Sequence, residues 1–490
     1  MVNDLDVLIV GGGPAGSAAA TLLAHCGHRV LIVERPVVER HAVAESIPPS
    51  AKKTLSALGL LNAVDAAGFH SWTGNTVWWA DAEPRVERFA PGEFGYQVER
   101  SRFDAVLRGV AEHAGAVIRH GLVRDVDDNG TAIVEADGAT TRVTARFVLD
   151  CSGRAGVIAR KRLRRMAPSL RTVALSCVWR ADSPWPDAER THTLVASYTD
   201  GWAWSVPLED DVRHVTVMVD PERTHLTRGA PAREVYLAEL TKVRPFAPWL
   251  ASASLVDGPW GADASPYSAR QYSGPGFLLV GDAGAAIDPL SSFGVKKALA
   301  SAWLAGIAVN TAIRTPSMRE DAFAFFDRRE REVHAAFQQQ SAAFAVNAAV
   351  GTQHPFWQTR ATSADAIEAD EAADPAALAR DPEVLAALAD LQQRPAIHLQ
   401  PGPDARIATA AAVRGHEIVM DEHLVLPAWP AGVRYLRNID LLLLSRLATE
   451  HRDVGALYEA LFRAQPGASL PDFLGALATL VARGGLIHAE

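Results

Sequence analysis

The chain has 490 residues, 48% hydrophobic and 21% charged, a composition that supports a buried core and is ordinary for a globular protein. Its length exceeds what a single core usually serves, so two or three domains are expected. A formal net charge of −9 with dispersed basic residues argues against nucleic acid as a partner, and three scattered cysteines (Cys26, Cys151, Cys177) argue against a disulfide framework or a cysteine-rich metal site.

Met1 leads straight into an apolar stretch without a basic leader, and no apolar run reaches the roughly 18 residues that a membrane helix needs. A cytoplasmic protein without membrane contact is expected. Residues 6–10 (DVLIV) have the pattern of a buried parallel strand. Gly11-Gly12-Gly13-Pro14-Ala15-Gly16 follows, then a helix-forming stretch at 17–25 and a second strand at 29–33 ending on Glu34 and Arg35. Each part has a mechanical reason. Gly11 permits the tight turn, Gly13 lets the backbone approach a pyrophosphate, and Gly16 lets helix and strand pack closely. The helix N-terminus, opened by Pro14 and Ala15, offers free N–H groups to phosphate. Glu34, 18 residues past Gly16, is placed to accept ribose hydroxyls. The pattern predicts a dinucleotide site without separating NAD from FAD.

Further along come Arg40 and Glu45-Ser46, then Gly68-Phe69-His70-Ser71-Trp72-Thr73-Gly74 with Trp78 and Trp79. Tyr96-Gln97-Val98-Glu99-Arg100 precedes a helix, and Val148-Leu149-Asp150-Cys151-Ser152-Gly153-Arg154 reads as a strand and turn. Gly201-Trp202-Ala203-Trp204-Ser205-Val206-Pro207 alternates like a strand, so Trp202 and Trp204 share a face as pocket wall or as core. At 276–280 a buried strand runs into Gly281-Asp282, with a small-residue turn through Asp288-Pro289-Leu290-Ser291-Ser292-Phe293-Gly294-Val295 that opens a helix. Lys296 and Lys297 read either as a helix-start surface pair or as a draw for an anion. Helix continues over 315–362, and a boundary is expected within 363–405, where acids, alanines and prolines cluster. Beyond it, strand-like 417–420 and 424–426 precede helical 439–449, 454–465 and 470–483. His416-Glu417 and Glu422-His423 lack the helical spacing of a zinc motif, and no metal site is expected.

With GxGxxG joined to a distant Gly-Asp, residues 5–330 resemble the FAD-dependent monooxygenases of the p-hydroxybenzoate hydroxylase fold, together with their relatives the geranylgeranyl reductases and flavin-dependent halogenases. The resemblance implies FAD as cofactor and an α/β (α+β) architecture: a Rossmann-like FAD domain of the glutathione-reductase-2 type, an inserted β-sheet substrate domain and a mostly helical C-terminal domain. The expected divisions are 1–70, 96–165 and 268–330 for FAD, 71–95 and 166–267 for substrate, and 331–490 for the last domain. Residues 405–490 are similar to winged-helix-like peptide-recognition modules, or else form a helical lid. The resemblance assigns FAD contacts to Gly11, Gly13, Pro14, Ala15, Gly16, Glu34, Arg35, Arg40, Ser46, Arg100, Gly281, Asp282, Pro289, Ser292, Gly294 and Val295.

Within the superfamily, the Trp202–Pro207 segment resembles the halogenase WxWxIP signature, and 286–294 resembles FxxPxxSxG with Ala286 for Phe. Halogenases, however, carry an essential lysine where this chain has Trp72, and tryptophan halogenases place Glu where it has Ser291. An indole cannot serve as a halogen-carrying amine. The expected chemistry is therefore hydroxylation of a phenol- or indole-like group, free or bound to a carrier or peptide, by a flavin C4a-hydroperoxide formed with O₂. In this reading the protein orients the substrate and excludes water. Trp78, Trp202 and Trp204 are expected to line the pocket, with His70 and Trp72 nearest the chemistry and His70 as either base or structural histidine. With one Rossmann fingerprint only, a separate NAD(P)H-dependent flavin reductase is the expected electron source. The alternatives are a halogenase whose lysine has moved, a saturating flavin reductase, and a flavin-holding binding module.

Overall fold

A computed structural model of the chain describes residues 5–36, 44–80, 83–182, 185, 190–209, 211–224, 226, 229–291, 293–362, 378–394 and 396–489. They form two compact units, Met1–Ile367 and Glu368–Glu490.

In the first unit, Leu5–Val10 pairs in parallel with Val30–Glu34 on one side and with Ala139–Asp150 on the other. Phe277–Leu279 and Val117–His120 extend this sheet in parallel on its two sides, and Ser273–Gly274 pairs antiparallel beyond the former. The apolar run of the first strand follows from its place: a central parallel strand is covered on both faces. Helix Pro14–His25 packs on the long helix Gly294–Arg314 and on Arg100–His113, so the two glycine-rich turns end up side by side. Among the described residues, no helix is long and apolar enough to cross a membrane.

A second sheet has the order Ala253–Asp263, Val173–Ala181, Val212–Val219, Gly201–Pro207, His192–Tyr198, Gly74–Trp78 and Arg85–Arg88. One face carries Leu175, Cys177, Val215 and Val217 against Tyr236 and Phe246. The other carries Trp202, Trp204 and Met218 against Trp357 and the alanines of helix Arg319–Gly351. Ala44–Ile47, Gly95–Glu99 and His70–Trp72 form a third, small antiparallel sheet. Helix Arg319–Gly351 runs straight through residue 330, where the sequence suggested a domain end, and the compact units divide at 367 instead.

The second unit holds the hairpin Arg406–Arg414/Glu417–Leu426, four helices among the described residues (Pro382–Gln393, Leu441–Glu450, Val454–Ala464 and Leu470–Ala482) and a closing strand Leu486–His488 that pairs with Leu399–Pro401. Residues 417–426 form one strand rather than two short ones. The helix expected from 439 starts at Leu441, because Asp440 caps it by accepting from the amides of Leu442 (3.0 Å) and Leu443 (3.1 Å). The expected linker at 363–377 lies outside the described residues.

Candidate active site

The glycines of the first turn have distinct reasons. Gly11 has φ +99°, and a Cβ there would stand 2.7 Å from the Cys151 carbonyl oxygen. A Cβ on Gly16 would stand 1.9 Å from the Gly11 carbonyl, which is where helix and strand meet. Gly13 differs: its backbone is extended, and the nearest atom to a Cβ would be Asp104 Oδ2 at 3.9 Å. Its openness faces the space in front of the helix N-terminus, where no side chain caps the amides. At the strand end, Glu34 Oε1 accepts from Arg108 at 3.2 Å, and Oε2 is buried with no protein donor. Burial raises the Glu34 pKa against the pull of Arg108. An orphaned buried acceptor beside a bare helix terminus fits a ribose and a diphosphate.

The second motif arrives at this cradle directly. Gly281 has φ +63°, and a Cβ there would stand 3.3 Å from the Ala298 Cβ and 3.4 Å from the Ala15 Cβ. The Gly281 amide donates to Ser301 Oγ at 2.9 Å, and Tyr267 donates to the Asp282 carbonyl at 2.7 Å. The Asp282 carboxylate stays 36% exposed. Arg100 binds Asp104 through Nε at 3.1 Å and Nη2 at 3.3 Å, and its Nη1 lies 3.6 Å from Glu45. Burial pushes the Glu45 carboxyl up to about 7, with Arg100 opposing and Asp282 and Asp104 reinforcing. Arg100, Glu45 and Asp282 thus share one field.

The remaining residues named from the sequence have varied settings. Arg35 is exposed beyond the strand end, and Arg40 and Ser292 lie outside the described residues. Ser46 turns to the opposite side from Glu45, as neighbours on a strand must, and donates to Gln97 at 2.6 Å. Pro289 sits in a short 3₁₀ turn, and Gly294 and Val295 begin the following helix with Val295 buried. Lys297 is not at the surface: its side chain is 1% exposed, donates to the Ala285 carbonyl at 2.5 Å and lies 3.6 Å from Asp282. Arg108 escaped the sequence reading, although Arg100, Asp104 and Arg108 form an i, i+4, i+8 stripe that predicts a shared helix face.

The tryptophans divide. Trp202 and Trp204 pack edge-on at 5.2 Å on the face shared with Trp79 and Trp357. Trp78 points to the opposite face, 6.4 Å from Phe246, so it cannot share a pocket with them; adjacent strand residues alternate, and Trp79 takes the inner side. Trp72 is buried, donates its indole N–H to the Gly74 carbonyl at 2.7 Å and meets Phe89 edge-on at 5.0 Å. It is a packing residue. His70 does reach open space. With Gln97, Phe69, Arg102, His214 and Trp260 it lines a cleft of about 650 Å³ between the small sheet and the seven-stranded sheet. The Trp202 cluster is not part of that cleft, and no lysine lines it.

Residues 4–315 match the family model described as FAD binding domain. The chain belongs to that family. FAD is the cofactor of this flavoprotein, and its kin are halogenase-like: it is 32% identical over 335 residues to the tryptophan 2-halogenase of Chondromyces crocatus, a match spanning 66% of this chain and 64% of that enzyme. Among solved structures it is similar to the flavin-dependent halogenase CmlS, with TM-score 0.80, 25% identity, and 99% and 96% of the two chains covered. The peptidyl tryptophan dihydroxylase QhpG shares the fold over 98% of this chain and 99% of its own, with TM-score 0.67 and 24% identity. The mixed α/β architecture is that of the halogenase and p-hydroxybenzoate hydroxylase type, with a largely helical C-terminal region.

Proposed function

We propose that this flavoprotein is a monooxygenase that hydroxylates an aromatic, indole- or phenol-like group held in the 650 Å³ cleft. The carrying observation is Trp72. It stands where the halogenase resemblance requires a lysine, and its ring and N–H are both committed to packing. Of the nearby lysines, Lys52 lies 3.2 Å from the Phe94 ring centre, Lys297 is buried at Asp282, and neither Lys53 nor Lys296 lines the cleft.

Gly11, Gly13 and Gly16 would seat the diphosphate at the helix N-terminus, Glu34 the ribose, and Asp282 with Arg100 the polar chain between diphosphate and flavin ring. Bound FAD, once reduced by a separate reductase, supplies the activation of O₂. The chain's own work is positional. Phe69 and Trp260 would stack on an aromatic ring, and Arg102 and Gln97 would orient polar substituents. His70, which already hydrogen-bonds the Arg190 carbonyl at 2.7 Å, would take the ring proton. A cleft this size holds a ring plus attached backbone, which suits a peptide- or carrier-bound aromatic as well as a free one.

The test is a single turnover of reduced, FAD-loaded enzyme with O₂ and bromide, offering indoles, phenols and tryptophan-containing peptides. The expected product is heavier by one or more oxygen atoms and indifferent to bromide. Brominated product would refute the reading and identify a halogenase. A saturated product without O₂ consumption would refute it in favour of a reductase.

A further inference from the structure

Beneath the Gly281–Asp282 turn, two helices bring together a polar group that the sequence motifs do not account for. Helix Gly294–Arg314 contributes Lys297 and Ser301, 3% exposed each, and helix Arg319–Gly351 contributes Glu330 and His334, at 4% and 5%. An ammonium in the first turns of a helix opposes the helix dipole, and its burial is costly, so an apolar residue would serve better if packing were its only task. The polar atoms it meets explain its presence: the Ala285 carbonyl at 2.5 Å and the Asp282 carboxylate at 3.6 Å. Ser301 accepts from the Gly281 amide at 2.9 Å. Its own hydroxyl hydrogen is thereby left to favour the Glu330 carboxylate.

We infer that Lys297 is a positioning residue for FAD: with Ser301 and Glu330 it fixes the 281–285 turn from below, so that Asp282 presents its carboxylate to the cofactor. Lys297 acts through Asp282 and the Ala285 carbonyl and need not touch FAD. The inference rests on FAD being the cofactor and on the role proposed for Asp282. It is independent of hydroxylation, so the two readings fail separately.

Glu330 adds a pH dependence. Around it stand Lys297 and Ser301 from the facing helix, Tyr272 before strand Ser273–Gly274, and Asp327, Arg329 and His334 on its own helix. Burial raises its carboxyl to about 6 against Lys297 and Ser301, while burial and Lys297 hold His334 neutral, down at about 4. Protonating Glu330 removes the negative charge that offsets buried Lys297 and weakens its bond from Ser301. FAD affinity therefore weakens as pH falls through about 6.

The experiment is a double-mutant cycle on FAD dissociation constants, read by flavin fluorescence with wild type, Lys297→Met, Asp282→Asn and the double variant. Lys297→Met is expected to weaken binding at least tenfold in the wild-type background and threefold or less with Asp282→Asn. An equal loss in both backgrounds, or no loss in the first, overturns the inference. Should Lys297→Met fail to fold, Glu330→Gln carries the test. Made in a Glu45→Gln background, so that the carboxyl near 7 beside Arg100 does not titrate in the same window, it should remove the step near pH 6, and persistence of that step overturns the inference equally.

Discussion

Two glycines three residues apart should fail in opposite ways when given a methyl group. A Cβ on Gly13 meets nothing closer than 3.9 Å, and the residue's φ of −73° suits alanine, so Gly13→Ala leaves the apo fold within about 1 kcal/mol, a helix-cap cost at most. The same methyl would project into the space assigned to the diphosphate. Overpacking of that kind costs about 2–3 kcal/mol, roughly a 30- to 150-fold loss of FAD affinity. At Gly16 the methyl would lie 1.9 Å from the Gly11 carbonyl oxygen, a backbone atom that cannot swing aside, with Ile9 Cγ2 at 3.2 Å. Strand and helix must then separate, at a cost of about 3 kcal/mol or more to the fold itself. Urea denaturation of the apo proteins and FAD titration monitored by fluorescence separate the two outcomes. A Gly13→Ala protein that holds FAD as tightly as wild type would refute the placement of the diphosphate. A Gly16→Ala protein as stable as Gly13→Ala would refute the packing argument.

Trp72→Lys should destabilise the first unit by about 3–5 kcal/mol, since it removes a buried ring and its bond to Gly74, and product masses with bromide present should not change because residue 72 does not line the cleft. Bromination by that variant would contradict the assignment. His70→Asn, which can keep a hydrogen bond to the Arg190 carbonyl, should lower turnover about a hundredfold while FAD affinity stays constant; unaltered turnover would make His70 structural. Glu45 has a folded pKa of about 7, above its unfolded value, so its contribution is fully favourable below about pH 4.5 and is lost as pH rises through 7. Glu45→Gln should thus stabilise the apo protein at pH 8 by up to about 3 kcal/mol and change little at pH 4.5, measured by urea denaturation at both. Greater destabilisation at pH 8 would show that the Arg100–Glu45 attraction outweighs burial.

The sequence was readable where local geometry admits few solutions. A strand, a Gly11–Gly16 turn and a helix can close only one way, so the cradle and its Glu34 terminus were legible from spacing. Asp282 was legible only through resemblance, because no local rule brings residue 281 within reach of Ala15. Trp78 misled because two adjacent tryptophans invite one pocket, whereas strand Gly74–Trp78 and the residue after it alternate faces, and only the register says which is which. Lys297 misled for a non-local reason: a lysine pair at a helix start is usually solvated, and here helix Arg319–Gly351 covers one member and leaves Lys296 beside Phe293. The cleft could not be read at all, since Phe69, Arg102, His214 and Trp260 come together only when two sheets meet.

The small sheet between those two explains how one scaffold keeps a fixed cofactor and varied chemistry. Its strands are too short to form a barrier of their own, but alternation gives it two chemically different faces. Glu45 looks toward Arg100 and Asp282, and the neighbouring Ser46 looks toward Gln97 and Thr193 on the cleft side, where His70 also stands. One face answers to the demands of a dinucleotide, which are the same whatever the substrate. In the proposed reading the other answers to the substrate, and alternation lets its side chains change without reshaping the first. Trp72, packed on Phe89 and outside the cleft, in that reading offers no amine to the chemistry and leaves every contact of the Gly11–Gly16 and Gly281–Asp282 turns in place.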